Sequence, residues 1–554
     1  MKWLCARLSV AASVLSAAAE VLSSGSGTWD PEDYKELTTT ASHPVEVRAG
    51  LFDFGKDGIG WLELHGVAEG PYDVVIGEMT NAEGRVANPA PPATIRSQPL
   101  TMFADRPVCR FRMPADPWNL IGYDIENAPA IALPKWAQIV FPFRYVEVTK
   151  RTGELKPENL VRKMVHYPID MSQSSFACDN AVLNEVYEFC KYSILATSFC
   201  GIYVDGDRER TPYEADAYIN QLCQYAIDAD CSLGRKSFYW LIDHPTWPTE
   251  WKQHAIKMAW ADWMWTGDTR ALAATYGRLQ KKLLGNYPRK DIVDWPRAER
   301  DGFVMTNSNS VVDAFHCRNL VEMSDIAAAL GRTEDARRYR READVARERF
   351  VADYLDSGTG LFRDARETRH SSLHANAAAL AFGLVPAANV DGVADFLEKK
   401  GLACSVYFAQ YLLEALCAAG RAEAAVRLMS SADARSWKAM IDFGSTVTME
   451  AWNVKAKPNL DLNHAWGAVP LNIISRYVLG VTPLEPGFAK ISVRPQSGGL
   501  RRVKGVVPTA KGPVRVEIAG ETLKVSVPVP ARIVWRNVTR NVPAGEHEWI
   551  GGDK

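Results

Sequence analysis

The stretch AVLNEVYEFCKYSILATSF, residues 181–199, marks the point where the chain changes from extended to helical sequence patterns. Its apolar residues recur every three or four positions, which places them on one face of a helix. Similar segments follow at AIKMAWADWMW (255–265) and VVDAFHCRNLVEMSDIAAALG (311–331). Periodic segments of this kind continue to Gly480 and predict roughly a dozen helices.

Short loops join these predicted helices in pairs, and no sequence repeat of fixed period accompanies them. Solenoids show such a repeat, because each of their units stacks on the next in the same way. The pattern therefore predicts a closed double ring of helices, the (α/α)6 barrel, rather than an open solenoid.

The segments before and after the helices have a different pattern. Between about Thr28 and Tyr167, period-two alternation appears in GWLELHG (60–66), YDVVIGEM (72–79) and AQIVFPFRYVEV (137–148), with turn residues between the runs. Past VTPLEPGFAKISVRP (481–495) the alternation returns, and a hairpin is predicted to turn at Ala519-Gly520-Glu521. Both flanks are predicted to be antiparallel β-sandwich domains.

The predicted organisation is multidomain, as expected for a chain of 554 residues, which is too long for one ordinary core. Its parts are a signal peptide (1–19), an N-terminal β-sandwich with linker (20–170), the barrel (171–480) and a C-terminal β-sandwich (481–554).

The composition is that of a globular protein, with 47% hydrophobic residues, 23% charged residues and a net charge of -2. Nucleic acid and anionic membranes are not expected partners, because no strongly basic patch could neutralise phosphates. After the first residues, no apolar run reaches the ~20 residues that a membrane span requires. The oligomeric state is not predicted.

The first residues predict export. Lys2 and Arg7 precede the apolar stretch LSVAASVL, and Ala17-Ala18-Ala19 has the form of a signal-peptidase site. The alternative is an ordinary alanine-rich helix. Of the ten cysteines, the leader would remove Cys5 and leave nine, an odd number. No cysteine spacing predicts a zinc site or a disulfide framework.

The stretch DGDRERTPYEAD, residues 205–216, contains five acidic residues and two arginines. Its carboxylates match four positions of a calcium-binding loop, but Arg210 stands where that loop needs glycine and Arg208 would repel the ion. A solvated, charge-balanced loop is the other simple interpretation. Thr211 and Glu214 have the spacing of a capping box, so a helix is predicted to begin at about Pro212.

Several tryptophans lie beside polar clusters, in PTEWKQH (248–254), DIVDWP (291–296), TVTMEAW (446–452) and LNHAWG (462–467). The C–H faces of a sugar stack on indole rings while its hydroxyl groups bond to charged side chains. This combination indicates a carbohydrate site, although core packing is the ordinary role of a single tryptophan.

These residues resemble the inverting α-L-rhamnosidases of glycoside hydrolase family 78. That family's signature has an Asp, a spacer, an Arg followed by Glu, an aromatic residue and a second Asp. The matching residues here are Asp205, Arg208, Glu209, Tyr213 and Asp216. The spacer is shorter than usual, so Asp207 is an alternative to Asp205, and Tyr213 stands where the family usually has Trp. Trp251, Trp295, Glu450 and His464 continue the resemblance in order.

The resemblance implies that Glu209 is the general acid and Glu450 the general base of an inverting hydrolysis, which needs carboxyl groups roughly 6.5–9.5 Å apart. Sugar binding is expected from Asp205 or Asp207, Arg208, Tyr213 and Asp216, with Trp251 and Trp295 as pocket walls. His464 is expected to bond the sugar or the base.

No cofactor or metal is predicted, since the reaction needs none and phosphate-binding glycine motifs are absent. The alternatives are another (α/α)6 glycosidase, acting on α-L-fucosides or uronic acids, and a non-catalytic carbohydrate-binding protein.

Overall fold

The computed structural model describes residues 34–48, 50–91, 93–114, 130–137, 139–247, 249–285, 292–536 and 538–550. The predicted signal peptide lies outside the described residues. Among the helices of these ranges, none combines the length and the apolar character needed to cross a membrane. The nine described cysteines are all unpaired thiols.

The N-terminal strands form one eight-stranded sheet, whose main path runs β1-β8-β3-β7-β4-β5, with β2 and β6 paired to β3. All the strand pairs of this sheet are antiparallel. The three extended segments predicted from alternation lie largely in β3, β4 and β7. The strands are β1 (Thr38–Ser42), β2 (Glu46–Arg48), β3 (Leu51–His65), β4 (Gly70–Gly77), β5 (Ser97–Ala104), β6 (Val108–Arg110), β7 (Phe141–Lys150) and β8 (Leu160–His166).

The middle of the chain is helical, and the described residues form thirteen α-helices there. They are α1 (Ala181–Ala196), α2 (Glu214–Tyr225), α3 (Ser232–Asp243), α4 (Glu250–Thr266), α5 (Arg270–Gln280), α6 (Ser310–Ala329), α7 (Thr333–Tyr354), α8 (Leu373–Ala381), α9 (Val390–Lys400), α10 (Ala409–Ala418), α11 (Ala422–Met429), α12 (Trp437–Asp442) and α13 (Pro470–Ile473). A 3-10 turn, Ala465–Ala468, precedes α13, and a π-helical turn, Ile474–Val478, follows it.

Local sequence explains where several of these helices begin and end. Asn180 caps α1 and Asn309 caps α6, because each side chain accepts a hydrogen bond from a main-chain N–H of the first turn. Helix α4 ends at Gly267, whose φ of 75° is the left-handed conformation that glycine adopts without strain.

Six of the helices contact one another in a closed circuit. Helix α2 packs on α4, α4 on α6, α6 on α8, α8 on α10, α10 on α13, and α13 returns to α2. Helices between them in sequence lie against this circuit, such as α7 against α6 and α9 against α8. Helices α4, α6 and α8 therefore each contact the helices two positions before and after them along the chain, and α13 closes the circuit between α10 and α2.

The C-terminal strands form two sheets, with orders β10-β11-β15-β16 and β17-β14-β13-β12-β9. Strand β9, Ser175–Cys178, precedes all the helices, so this sheet joins both ends of the helical region. The predicted hairpin is confirmed, since Ala519 pairs with Thr522. The remaining strands are β10 (Val481–Pro483), β11 (Ile491–Val493), β12 (Arg502–Val507), β13 (Val514–Ala519), β14 (Thr522–Val527), β15 (Ala531–Trp535), β16 (Val538–Val542) and β17 (Gly545–Trp549).

The predicted start of α2 was wrong by two residues, because the capping box does not form. Helix α2 begins at Glu214, and its N-cap is Tyr213. The Glu214 carboxylate instead accepts hydrogen bonds from the main chain and hydroxyl of Thr246. The main-chain N–H of Thr211 donates to Asp205 Oδ1 over 3.0 Å. A distant partner for the Glu214 carboxylate and the neighbouring Asp205 carboxylate for the Thr211 N–H therefore replace the capping box.

Candidate active site

A tight loop, residues 205–211, presents the first group of predicted site residues. The main-chain N–H of Asp205 donates to the Thr211 carbonyl over 3.0 Å, and that of Arg210 donates to the Gly206 carbonyl over 3.1 Å. Arg210 has a φ of 54°, an unfavourable conformation for a residue with a side chain. Tertiary contacts hold it there, since its guanidinium donates to Asp207 Oδ1 and to the Val140 carbonyl.

The acidic residues of this loop and of the first turn of α2 contact different partners and do not surround one point. Asp207 bonds to Arg210 and lies 3.4 Å from Arg96, while the Asp216 carboxylate bonds to His464. Glu209 accepts hydrogen bonds from Arg208 and, over 2.8 Å, from the Tyr213 hydroxyl. This arrangement does not form the calcium site that the spacing allowed.

Arg208 lies between the two predicted catalytic carboxylates. Its Nη1 donates to Glu209 Oε1, and its Nη2 lies 3.7 Å from Glu450 Oε2. Its Nε lies 3.6 Å from Asp461 Oδ1. Glu209 and Glu450 are 241 residues apart in the sequence, yet one nearly buried guanidinium, 9% exposed, contacts both.

Glu450 is held by donors on both carboxylate oxygens. Lys457 Nζ donates to Oε1, and the main-chain N–H of Asp461 donates to Oε2 over 3.0 Å. Burial favours the neutral form, but Lys457, His464 and Arg208 hold the pKa of the Glu450 carboxyl below its usual value. Glu450 is therefore suited to act as an ionised base.

Two neighbouring carboxyls show the opposite effect. Burial, followed by the charges of Glu209 and Asp461, raises the pKa of Asp205 well above its usual value. Burial also raises the pKa of Asp461 to about 6, with a contribution from the charge of Glu450. The carboxyls around Arg208 thus differ, since the pKa of Glu450 is lowered while those of Asp205 and Asp461 are raised.

His464 links the end of the helical region to α2. Its Nε2 lies 2.7 Å from Asp216 Oδ1, and its ring lies against Trp466 with the centroids 4.3 Å apart. Burial raises the pKa of Asp216. His464 caps the following 3-10 turn through its main chain only.

Aromatic rings line the Glu209 side of the site. Tyr213 packs edge-on against Trp251 with ring centroids 5.8 Å apart, and Trp251 also contacts Trp466. Trp295 lies on the Glu450 side, where Lys457 Nζ is 6.0 Å from its ring centroid. The main-chain N–H of Trp295 donates to Asp294, a fully buried residue that also bonds to His374.

Sequence reasoning missed several residues of this site. Asp461 lies two positions before Asn463 in LDLNHAWG and could have been noticed as a further carboxylate, whereas Lys457 lies in an irregular segment without a signal. Asn463 accepts from the Asp207 main chain over 2.9 Å and donates to Glu78 over 2.9 Å. Glu78 belongs to the N-terminal region, and no local pattern indicated it.

Glu450, Asp461 and His464 lie close enough together to be considered as a metal site. Two cations, Lys457 and Arg208, already contact Glu450, and a metal ion there would be repelled by both. The donor set therefore does not fit a metal. A separate cavity of about 720 Å³ lies beside α6 and α7, lined by His316 and Arg349 among others, and includes none of the predicted site residues.

Comparison with known proteins gives two family matches. Residues 171–478 match the bacterial alpha-L-rhamnosidase 6 hairpin glycosidase domain, and residues 480–547 match the bacterial alpha-L-rhamnosidase C-terminal domain. A curated alpha-L-rhamnosidase of Alteromonas sp. (strain LOR) is 26% identical over 457 residues, which cover 71% of this chain and 47% of that protein. The chain thus spans about half the length of this relative.

Solved structures show the same fold. An alpha-L-rhamnosidase from Dictyoglumus thermophilum superposes with a TM-score of 0.75 at 20% identity, covering 93% of this chain and 64% of that one. The Streptomyces avermitilis alpha-L-rhamnosidase complexed with L-rhamnose gives a TM-score of 0.74 at 18% identity, covering 93% of this chain and 53% of that one.

Proposed function

The chain belongs to the bacterial alpha-L-rhamnosidase six-hairpin glycosidase family, and we propose that it hydrolyses terminal non-reducing α-L-rhamnose from glycans or glycosides with inversion of configuration. The observation that carries the proposal is the contact of one guanidinium, that of Arg208, with both Glu209 and Glu450. This arrangement brings two carboxylates from distant parts of the chain to one site.

Inversion of configuration is proposed from the resemblance of Glu209 and Glu450 to the acid and base of the inverting glycoside hydrolase family 78. The two carboxylates contact different nitrogens of Arg208, so the width of a guanidinium group lies between them. This is compatible with the spacing of roughly 6.5–9.5 Å that leaves room for a water molecule between sugar and base. A retaining enzyme needs the carboxyls closer together, because one of them must attack the sugar directly.

In the proposed mechanism, Glu209 protonates the leaving glycosidic oxygen while Glu450 takes a proton from the attacking water. The lowered pKa of Glu450 keeps the base ionised. Tyr213 donates to Glu209 Oε2 and so orients the carboxyl of the acid. The C–O bond to the leaving group breaks as the water oxygen bonds to the opposite face of the anomeric carbon.

Sugar recognition is proposed for the charged and aromatic groups beside these two carboxylates. Asp205 is the more suitable of the two candidate aspartates, because the Asp207 carboxylate is already paired with Arg210 and Arg96. Arg208 and Asp216 supply further polar groups, and Trp251 and Trp295 supply aromatic walls.

We also propose the finer architecture and the localisation predicted from the sequence. The closed circuit of α2, α4, α6, α8, α10 and α13 supports an (α/α)6 barrel with these helices as its inner ring. The two C-terminal sheets support a β-sandwich at that end, and the N-terminal sheet supports a second β-domain. Export as a secreted or periplasmic protein, with cleavage near Ala19, is proposed from the sequence pattern alone.

The proposal is tested by incubating the protein with aryl α-L-rhamnoside and, separately, with aryl α-L-fucoside. We expect turnover of the rhamnoside, and a loss of kcat/KM on the order of 10²–10⁴-fold in Glu209→Gln and Glu450→Gln, since each removes one proton-transfer group. NMR of the first-formed sugar should show the inverted anomer.

The matched control is Glu423→Gln, which changes an exposed glutamate of α11 and should leave kcat/KM unchanged. An inactive wild-type protein, or full activity in either active-site variant, would contradict the proposed function. Early formation of the retained anomer would contradict the proposed inversion but not the proposed hydrolysis of rhamnosides.

A further inference from the structure

Lys457 is a buried cation beside the proposed base. Its residue is 5% exposed, and its Nζ donates to Glu450 Oε1. The segment that carries it turns tightly, since the Ala456 N–H donates to the Asn453 carbonyl and the Leu460 N–H donates to the Lys457 carbonyl. Burial of an ammonium group is unfavourable unless a partner of opposite charge compensates it. Glu450 is that partner.

The same segment also holds the other side of Glu450. The main-chain N–H of Asp461 donates to Oε2, and the main chains of the two residues pair, because the Glu450 N–H donates to the Asp461 carbonyl over 3.1 Å. Residues 457–461 thus donate hydrogen bonds to both oxygens of the Glu450 carboxylate. Each carboxylate oxygen can accept more than one hydrogen bond, so a water molecule can still bind to Glu450.

The balance of charge around Glu450 depends on Lys457. The positive or protonatable groups near Glu450 are Arg208, Lys457 and His464. The acidic groups are Asp461 and Asp216, together with Glu209, which contacts another nitrogen of Arg208. Among the groups that lower the pKa of Glu450 against the effect of burial, Lys457 has the largest influence. Without Lys457, the Arg208 guanidinium would have to balance the charges of Glu209, Glu450 and Asp461.

We infer that Lys457 is a positioning residue for the reaction, which holds the Glu450 carboxylate in its ionised form and in one orientation through the Nζ–Oε1 contact. The inference rests on the proposed function of Glu450 as general base. Lys457 is not assigned a contact with the sugar.

The test compares Lys457→Met, Lys457→Gln and Lys457→Arg by the pH dependence of kcat/KM with aryl α-L-rhamnoside. The acid limb of this profile reports the pKa of the base in the free enzyme. Loss of the positive charge should raise that pKa, so the acid limb should move to higher pH by about one unit in the Met and Gln variants. The Arg variant keeps the charge and should keep the wild-type limb.

Lys455→Met is the matched control, because Lys455 lies exposed on the same turn. It should leave the profile unchanged. Thermal unfolding identifies variants that fail to fold, and Lys457→Gln, which retains a hydrogen-bond donor, replaces Lys457→Met if the latter is unfolded.

An active wild-type enzyme whose Met or Gln variant loses rate equally at every pH would overturn the inference, as would an Arg variant with the same shifted limb. A wild-type protein without rhamnosidase activity would instead overturn the proposed function, so the two failures are distinguishable.

Discussion

At the scale of single residues, substitution of Asp207 is expected to lower stability, whereas substitution of Asp205 is expected to lower activity. Asp207→Asn removes the charge that pairs with Arg210 and Arg96, so we expect a loss of stability on the order of 3 kcal/mol. Asp205→Asn keeps an oxygen for the Thr211 N–H and should remain folded, with kcat/KM lowered on the order of tenfold or more through lost sugar binding. Urea unfolding and steady-state kinetics measure both effects.

Equal losses of stability in the two variants would contradict this division of roles. A stable Asp207→Asn variant with impaired sugar binding would assign the sugar contact to Asp207 instead.

The sequence predicted the site residues that belong to a recognisable pattern of residue types. It missed the residues whose role depends only on which side chains they contact in the folded protein. Arg208, Glu209 and Asp216 follow one another in a recognisable order, and the structure brings them near Glu450 and His464. Asp461 and Lys457 act on Glu450 from an irregular segment, where no periodicity indicates which way a side chain points.

At the scale of elements, the loop 205–211 depends on a residue without a side chain. A Cβ at Gly206 would lie 2.8 Å from the Asn463 carbonyl oxygen and 2.8 Å from Asp461 Oδ2. Gly206→Ala should therefore displace the loop that carries Glu209, and a shift near 1 Å lowers the rate on the order of 10²-fold. Steady-state kinetics with aryl α-L-rhamnoside measures this loss.

Gly277→Ala provides the matched control for this substitution. A Cβ at Gly277, inside α5, meets no atom within 4 Å. We expect unchanged activity and a gain in stability of about 0.5–1 kcal/mol, because alanine is the better helix former. Full activity of Gly206→Ala would show that the loop tolerates displacement.

Helices were predicted well because their signal is local. The segments predicted at 181–199, 255–265 and 311–331 correspond to α1, α4 and α6, whose apolar faces are buried. Strand partners were not predictable, because pairing is decided by residues far apart in the chain. Strand β9 joins the C-terminal sheet across more than 300 residues, through pairs such as Val503 with Cys178.

At the scale of the whole molecule, the N-terminal region supports the loop that carries Glu209. Glu78 accepts a hydrogen bond from Asn463, which in turn accepts one from the Asp207 main chain. The Ile131 N–H donates to the Arg210 carbonyl over 2.9 Å. These contacts join parts of the chain that the sequence predicts to be separate domains, so the N-terminal region helps to hold the site in place.

Asp57 lies where the N-terminal sheet meets the helical region. Its main-chain N–H donates to the Thr446 hydroxyl over 2.7 Å, and its carbonyl accepts from the Tyr192 hydroxyl over 2.5 Å. Burial raises the pKa of its carboxyl to about 6, although Arg162 opposes the shift. The folded protein therefore binds a proton at Asp57 more tightly than the unfolded chain does.

This difference predicts how Asp57 affects stability at different pH values. Its contribution is fully present below the unfolded pKa, about 3.9, and is lost as pH rises through the folded value of about 6. Asp57→Asn cannot ionise, so between about pH 4 and 7 the wild type should lose on the order of 2 kcal/mol relative to this variant. Urea unfolding across this range measures the difference. The control is Asp344→Asn, at an exposed position of α7, for which the difference in unfolding free energy from the wild type should not change with pH. A difference for Asp57→Asn that stays constant or reverses with pH would contradict the prediction.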